Sequence, residues 1–152
     1  MTSVTVHVGD PMAPAAKTLL QASHDLMTSL FPSTTNHQFS VEALSASNVN
    51  FYIAQLGAET IGCAALVNKT AYGEIKAMYV SSTARGMGVA ARLIERVVKD
   101  ARAISLPRIN LETGIGLNAA HRLYERMGFV DCDSFGDYEA DAPYSLYMEL
   151  AL

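Results

Sequence analysis

Residues 73–91 read GEIKAMYVSSTARGMGVAA, and the parsing of this stretch decides the fold. Gly73 to Val80 is β-rich, Ser81 to Arg85 is short and polar, and from Gly86 to Ala103 the period becomes helical. Val89, Leu93, Ile94, Val97, Val98 and Ala101 fall on one helical face, while Arg92, Glu95, Arg96, Lys99 and Asp100 fall on the other. Pro107 closes the unit, and Arg108 to Thr113 reads as another strand. A strand, a helix and a strand of these lengths form a right-handed crossover, so the strands at 74–80 and 108–113 are expected to lie parallel in one sheet.

Outward from this unit, the other signals are antiparallel. Asn50 to Leu56 and Thr60 to Val67 are β-rich and separated by Gly57, Ala58 and Glu59, the pattern of a hairpin. Val4, Val6 and Val8 alternate as in a half-buried strand that ends at Gly9 and Asp10. Leu19, Leu20, Ser23, Leu26, Met27 and Leu30 recur at helical spacing until Pro32. Ser33 to Asn50 reads as a loop carrying a short helix, and equally as a lid. Downstream, a helix is expected from about Asn118 to Met127, closed by Gly128, followed by strands near Phe129 to Phe135 and Ser145 to Leu150. The predicted fold class is α+β, with a mixed, mostly antiparallel central sheet flanked by helices.

The chain has 152 residues, of which 50% are hydrophobic, enough for one domain over residues 1–152 with one core. A formal net charge of -4 opposes general nucleic-acid binding, which needs an excess of Lys and Arg to displace phosphate counterions. No apolar run reaches the length of a membrane span, so no membrane partner and a cytoplasmic location are expected. Cys63 and Cys132 sit singly in apolar stretches and read as reduced thiols; no Cys/His cluster has metal-ligand spacing, so no metal is expected.

Arg85-Gly86-Met87-Gly88-Val89-Ala90 opens a helix after a strand and a short loop. Unpaired backbone N–H groups and the positive end of the helix dipole then face one spot, which suits a pyrophosphate. Gly86 and Gly88 let phosphate oxygens approach, and Arg85 adds charge. Gly86, Gly88 and Ala91 also satisfy the dinucleotide fingerprint G-x-G-x-x-G/A, but here the glycines do not follow the strand directly and a hairpin precedes it. Too little chain remains for a doubly wound sheet.

With its flanking segments, the stretch resembles the GCN5-related N-acetyltransferase family. Arg85-Gly86-Met87-Gly88-Val89-Ala90 matches the pattern Q/R-x-x-G-x-G/A; Asn118 with Leu123-Tyr124-Glu125, and Met127-Gly128-Phe129, follow in order and spacing. The likeness covers about Ile53 to Phe129. Leu111-Glu112-Thr113 and Phe135-Gly136-Asp137-Tyr138 further resemble small bacterial members, some labelled as acetyltransferases of indole-acetate metabolism. The resemblance implies acetyl-coenzyme A as cosubstrate, with its pantetheine arm between the splayed strands and paired to backbone at Met78 and Val80. It implies a pyrophosphate on Arg85, Gly86, Met87, Gly88, Val89, Ala90 and Ala91, with Asn118 nearby. A backbone N–H near Met78 would face the thioester oxygen.

It also implies Tyr124 as general acid toward the leaving thiolate, although Ala120, Leu123, Tyr124 and Met127 share a helical face and would equally make Tyr124 a packed core residue. Asn118 reads from its position as a helix N-cap as well. A lysine-like amine is mostly protonated at pH 7, a handicap of about 4 to 5 kcal/mol, so a base helps. Glu74 falls where several family members carry a catalytic glutamate, and Glu112 on the neighbouring strand competes with it. His37, in the variable N-terminal region, and the acidic, aromatic patch around Asp137 and Tyr138 are candidates for holding a cationic acceptor. The expected reaction is direct transfer to a primary amine of a small molecule or a protein; a homodimer is left open. The competing reading is a coenzyme A-binding sensor without turnover, which needs neither Tyr124 nor Glu74.

Overall fold

The computed structural model of the chain describes residues 3–31 and 40–152. Strands β1 (Val4–Val8), β2 (Val49–Leu56), β3 (Glu59–Asn68), β4 (Gly73–Val80), β5 (Arg108–Gly114), β6 (Val130–Asp131) and β7 (Ser145–Ala151) alternate with helices α1 (Pro14–Leu30), α2 (Val41–Leu44), α3 (Val89–Ala103) and α4 (Asn118–Arg126). All seven strands form one sheet in the order β1-β2-β3-β4-β5-β7-β6. Every pairing is antiparallel except β4 with β5, which is parallel as the crossover requires.

Two apolar clusters hold the layers together. The larger packs Leu93, Ile94, Val97 and Ala101 of α3 and Tyr124 of α4 against Ile61, Leu66, Ile75, Ile109 and Leu111 of the sheet. The smaller, on the opposite face, packs Ala16 and Leu19 of α1 and Leu44 of α2 against Phe51, Ile53, Cys63 and Ala65. Residues of β2 and β3 alternate between the two clusters, which is why both read as apolar runs with β-branched character. The first helix begins at Pro14, a residue suited to a first turn because its missing N–H would have no acceptor there.

One polar clasp fastens the α3 layer to the sheet. The Tyr52 hydroxyl donates to Asp100 at 2.7 Å, Arg96 Nε bonds the same carboxylate oxygen at 3.1 Å, and Arg96 reaches the Val6 carbonyl at 3.2 Å. Burial, then the hydrogen bond to Asp100, push the Tyr52 hydroxyl up to about 12. Tyr52→Phe removes one of the two hydrogen bonds to this Asp100 oxygen and leaves the one from Arg96, so a loss of about 1 kcal/mol of unfolding free energy is expected by urea titration, with the m-value unchanged.

Three boundaries differ from the sequence reading. The helix expected from Gly86 starts at Val89, because Gly86 and Gly88 take left-handed backbone (φ +82° and +76°) that no helix accommodates. The strand expected over Phe129 to Phe135 is only Val130–Asp131. Beyond Asp131 the Phe135 ring turns inward, 5.1 Å from Tyr138 and 5.8 Å from Tyr147, and the chain leaves the sheet. Asn118 is not an N-cap: Leu117 holds that position, no side chain caps the helix, and Asn118 is its first residue. Cys63 is buried as expected, whereas Cys132 is only partly so.

Candidate active site

The site is created where the parallel pair comes apart. β4 and β5 are paired only through Gly73–Ile75 and Ile109–Leu111. Beyond this, β4 bulges: Tyr79 lies opposite Cys63, but Lys76 lies opposite Ala65, so β4 carries an extra residue. Ala77 within the bulge has φ +54°, a conformation costly for a side-chain-bearing residue, and the Cys63 thiol donates to its carbonyl at 3.3 Å. The bulge increases the bend of β4 and turns its C-terminal half away from β5.

A cleft of about 790 Å³ fills the gap. Its floor is Glu74 to Met78 of β4 and Leu111 to Gly114 of β5, α1 supplies a wall through Leu20, His24 and Met27, and α4 closes it with Ala120 and Tyr124. The cleft therefore gathers Tyr124, Glu74, Glu112, Met78 and Tyr138 from four separate segments of the chain, Glu74 and Met78 both coming from β4. His37 lies outside the described residues. Asn118 and Asp137 are exposed and neither lines the cleft, so the acidic, aromatic patch read from the sequence divides into an outward Asp137 and an inward Tyr138.

Tyr124 is 7% exposed, with its ring 5.7 Å from that of Phe129 in the core cluster. Burial pushes its hydroxyl up to about 12, and that hydroxyl has no hydrogen-bond partner among the described residues. It is at once a core ring and a protonated donor at the cleft wall, so the two readings of this tyrosine are compatible. Glu112 accepts from the Ser145 hydroxyl at 2.6 Å.

Glu74 is only 3% exposed. Its Oε2 accepts from the Tyr138 hydroxyl at 2.6 Å and lies 3.5 Å from Lys76 Nζ, while Lys76 also donates to the Tyr138 hydroxyl. Burial, then the negative charge of Glu74, push the Tyr138 hydroxyl strongly upward, so it stays a donor. Lys76 was missed in the sequence. The signal was there: Glu74 and Lys76 stand two residues apart in an otherwise apolar strand, so both charges face the same side and each needs a partner.

The glycine loop lies beyond the end of β4 and does not line the cleft itself. Gly88 caps α3 with no side-chain hydrogen bond, so the N–H groups of Val89, Ala90 and Ala91 have no intrahelical acceptor. Arg85 is exposed, with its guanidinium 5.7 Å from the Tyr79 ring. A Cβ at Gly86 or Gly88 would meet nothing within 4 Å, so the glycines serve the left-handed turn and leave the approach to the helix end open. Gly88→Asp is accordingly expected to fold, since Asp tolerates this conformation better than most residues, and to bind coenzyme A about 10- to 100-fold more weakly by isothermal titration.

This architecture is that of the acyl-coenzyme A N-acyltransferases. A crystal structure from Klebsiella pneumoniae subsp. pneumoniae, assigned as an acyl-CoA N-acyltransferase, superposes with a TM-score of 0.79 at 27% identity, covering 100% of this chain and 98% of that one. The chain belongs to the acetyltransferase (GNAT) family, whose sequence model matches residues 17–129. It is 35% identical over 154 residues to the "IAA acetyltransferase" of Azospirillum brasilense, covering 100% of both chains. An acetyltransferase of Bacillus anthracis strain Ames, assigned to streptothricin and solved in complex with acetyl coenzyme A, matches with a TM-score of 0.62 at 29% identity over 76% of this chain and 69% of that one. The protein is thus an acetyl-CoA-dependent N-acetyltransferase acting on an amine acceptor. Among the described residues no helix is long and apolar enough to cross a membrane.

The fit to acetyl-coenzyme A rests on this chain's own groups. The uncapped α3 N-terminus offers donors for a pyrophosphate, and the splay leaves β4 backbone beyond Ile75 without β5 as a partner.

Proposed function

We propose that the protein transfers acetyl from acetyl-coenzyme A to a primary amine by direct attack in a ternary complex, with no acyl-enzyme intermediate. The observation that carries this reading is the cleft between the splayed halves of β4 and β5, which gathers Tyr124, Glu74 and Glu112 at one place. Neither cysteine lines that cleft, so neither is placed as an acyl carrier.

In this reading Arg85, Gly86, Met87, Gly88, Val89, Ala90 and Ala91 hold the pyrophosphate, and β4 backbone at Met78 and Val80 binds the pantetheine arm. The amide of Met78, within the bulge, faces the thioester oxygen and stabilises the charge that develops there. Glu74 takes the proton of the acceptor amine, and Tyr124 donates one to the departing thiolate. Because burial keeps the Tyr124 hydroxyl protonated up to about 12, its donor role holds throughout the pH range in which the enzyme is assayed.

The acceptor is the finer question. The cleft wall mixes the carboxylates Glu42, Glu74 and Glu112 with Lys17 and Lys76. A panel comprising an aromatic monoamine, a diamine, free amino acids, an aminoglycoside and a lysine peptide, scored by thiol release from acetyl-coenzyme A, tests the reading. At 100 times its dissociation constant, acetyl-coenzyme A is expected to stabilise the fold by about 2.7 kcal/mol, a rise of roughly 5 to 10 °C in Tm. NAD is expected to leave Tm unchanged. A protein that melts later with NAD and ignores acetyl-coenzyme A would contradict the pyrophosphate assignment of the glycine loop.

A further inference from the structure

Three side chains from two distant segments meet on the cleft floor: Glu74 and Lys76 of β4, and Tyr138 from the connection between β6 and β7. Both partners of Glu74 engage the same oxygen. Tyr138 donates to Oε2 at 2.6 Å and Lys76 Nζ stands 3.5 Å from it, whereas Oε1 has no partner among the described residues. A carboxylate left to itself in a site this enclosed would rotate freely and be penalised as an anion. Here one oxygen is pinned and the other is presented.

The pinning residues are themselves held. The Tyr138 ring packs 5.1 Å from Phe135 and 5.7 Å from Tyr147, Lys76 Nζ sits 5.1 Å from the Tyr138 ring centre, and the Tyr147 hydroxyl donates to the Glu139 carbonyl at 2.8 Å. The β6–β7 connection is thereby anchored over β4 from both sides of Tyr138.

We propose that Lys76 and Tyr138 are positioning residues for acetyl transfer: they fix the Glu74 carboxyl group through Oε2 and leave Oε1 to receive the proton of the acceptor amine. This rests on the reading of Glu74 as the base. It assigns the 132–144 segment, which lies outside the family's glycine-loop machinery, a part in holding the base of the site.

Other titratable and charged groups surround this triad. Glu112 of β5, Lys17 and His24 of α1 and Glu42 of α2 line the cleft, while Arg108 of β5, Asp137 and Glu139 of the β6–β7 connection, Tyr72 before β4 and Tyr147 of β7 lie around it without lining it. Among the described residues, only Lys76 and Tyr138 reach a Glu74 oxygen. Lys76 brings a positive charge to this carboxylate and Tyr138 a hydrogen bond. Removing either leaves a buried carboxylate with one partner fewer, which costs most while it carries charge, so the loss in activity is expected to be greatest at low pH.

The test is the ratio of variant to wild-type kcat/KM at pH 6 and pH 8.5, measured with the panel amine that is turned over fastest; the ratio cancels the acceptor's own titration. Tyr138→Phe keeps the ring and its aromatic neighbours, so it tests the hydroxyl without dismantling the segment. Tyr138→Phe and Lys76→Met are each expected to lose about tenfold more at pH 6 than at pH 8.5, and Lys76→Arg, which keeps the charge, to recover most of that difference. In a Glu74→Gln background, Tyr138→Phe should add no pH-dependent loss. A Tyr138→Phe enzyme whose loss is the same at both pH values, or absent, overturns the positioning role while leaving Glu74 as base. A Glu74→Gln enzyme that keeps the wild-type pH dependence overturns both.

Discussion

Tyr124→Phe is expected to lower kcat by about 10² to 10⁴, with acetyl-coenzyme A affinity and Tm changed little. The ring is what the core uses: it packs against Phe129 in the main cluster, and phenylalanine supplies the same ring. The hydroxyl contributes no hydrogen bond to the described structure, so its removal leaves no partner unsatisfied. A purely structural tyrosine at this place would thus tolerate the change with both stability and turnover intact. Only a proton donor to the leaving thiolate makes kcat fall at unchanged stability. Because burial raises the hydroxyl to about 12, no descending limb below about pH 10 should come from this residue in the wild-type pH profile. A Tyr124→Phe enzyme with undiminished kcat on a confirmed acceptor would end the general-acid assignment.

The sequence carried the crossover well and the cleft only in outline. The period change at the glycines, the apolar stripe on α3 and the β-rich runs of β2 and β3 are local signals, and each element appears within a few residues of where its pattern places it. The length of a parallel pairing is not local. Nothing in Gly73 to Val80 announces that contact with β5 ends at Ile75, or that Ala77 takes left-handed backbone, because alanine carries no signature for a bulge that its neighbours in the sheet impose. The same limit explains Asn118. Its residue type favours a cap, but Leu117 takes that position in the loop after Gly116 (φ +93°), and the tertiary path of the chain overrides propensity. Tyr138 and Glu74 are separated by 64 positions, so their hydrogen bond could be read only after the fold was known.

Glu74→Gln is the second large effect, with an expected loss of about 10² to 10⁴ in kcat near neutral pH. The amide keeps the size of the side chain and can still accept from the Tyr138 hydroxyl, so the floor of the cleft should remain assembled. It cannot take a proton. The attacking amine must then lose its proton to bulk water, and the handicap of about 4 to 5 kcal/mol for a lysine-like amine at pH 7 is no longer relieved within the site. Glu112→Gln is the matched control on the adjacent strand, since Glu112 lines the same cleft and differs chiefly in accepting from Ser145 at 2.6 Å. If Glu74 is the base, the low-pH limb of kcat/KM flattens in Glu74→Gln and persists in Glu112→Gln, where only a modest loss is expected. The reverse pattern would move the base to β5. Equal, small effects in both variants would leave proton removal to water in the cleft or to Glu42, the third carboxylate that lines it.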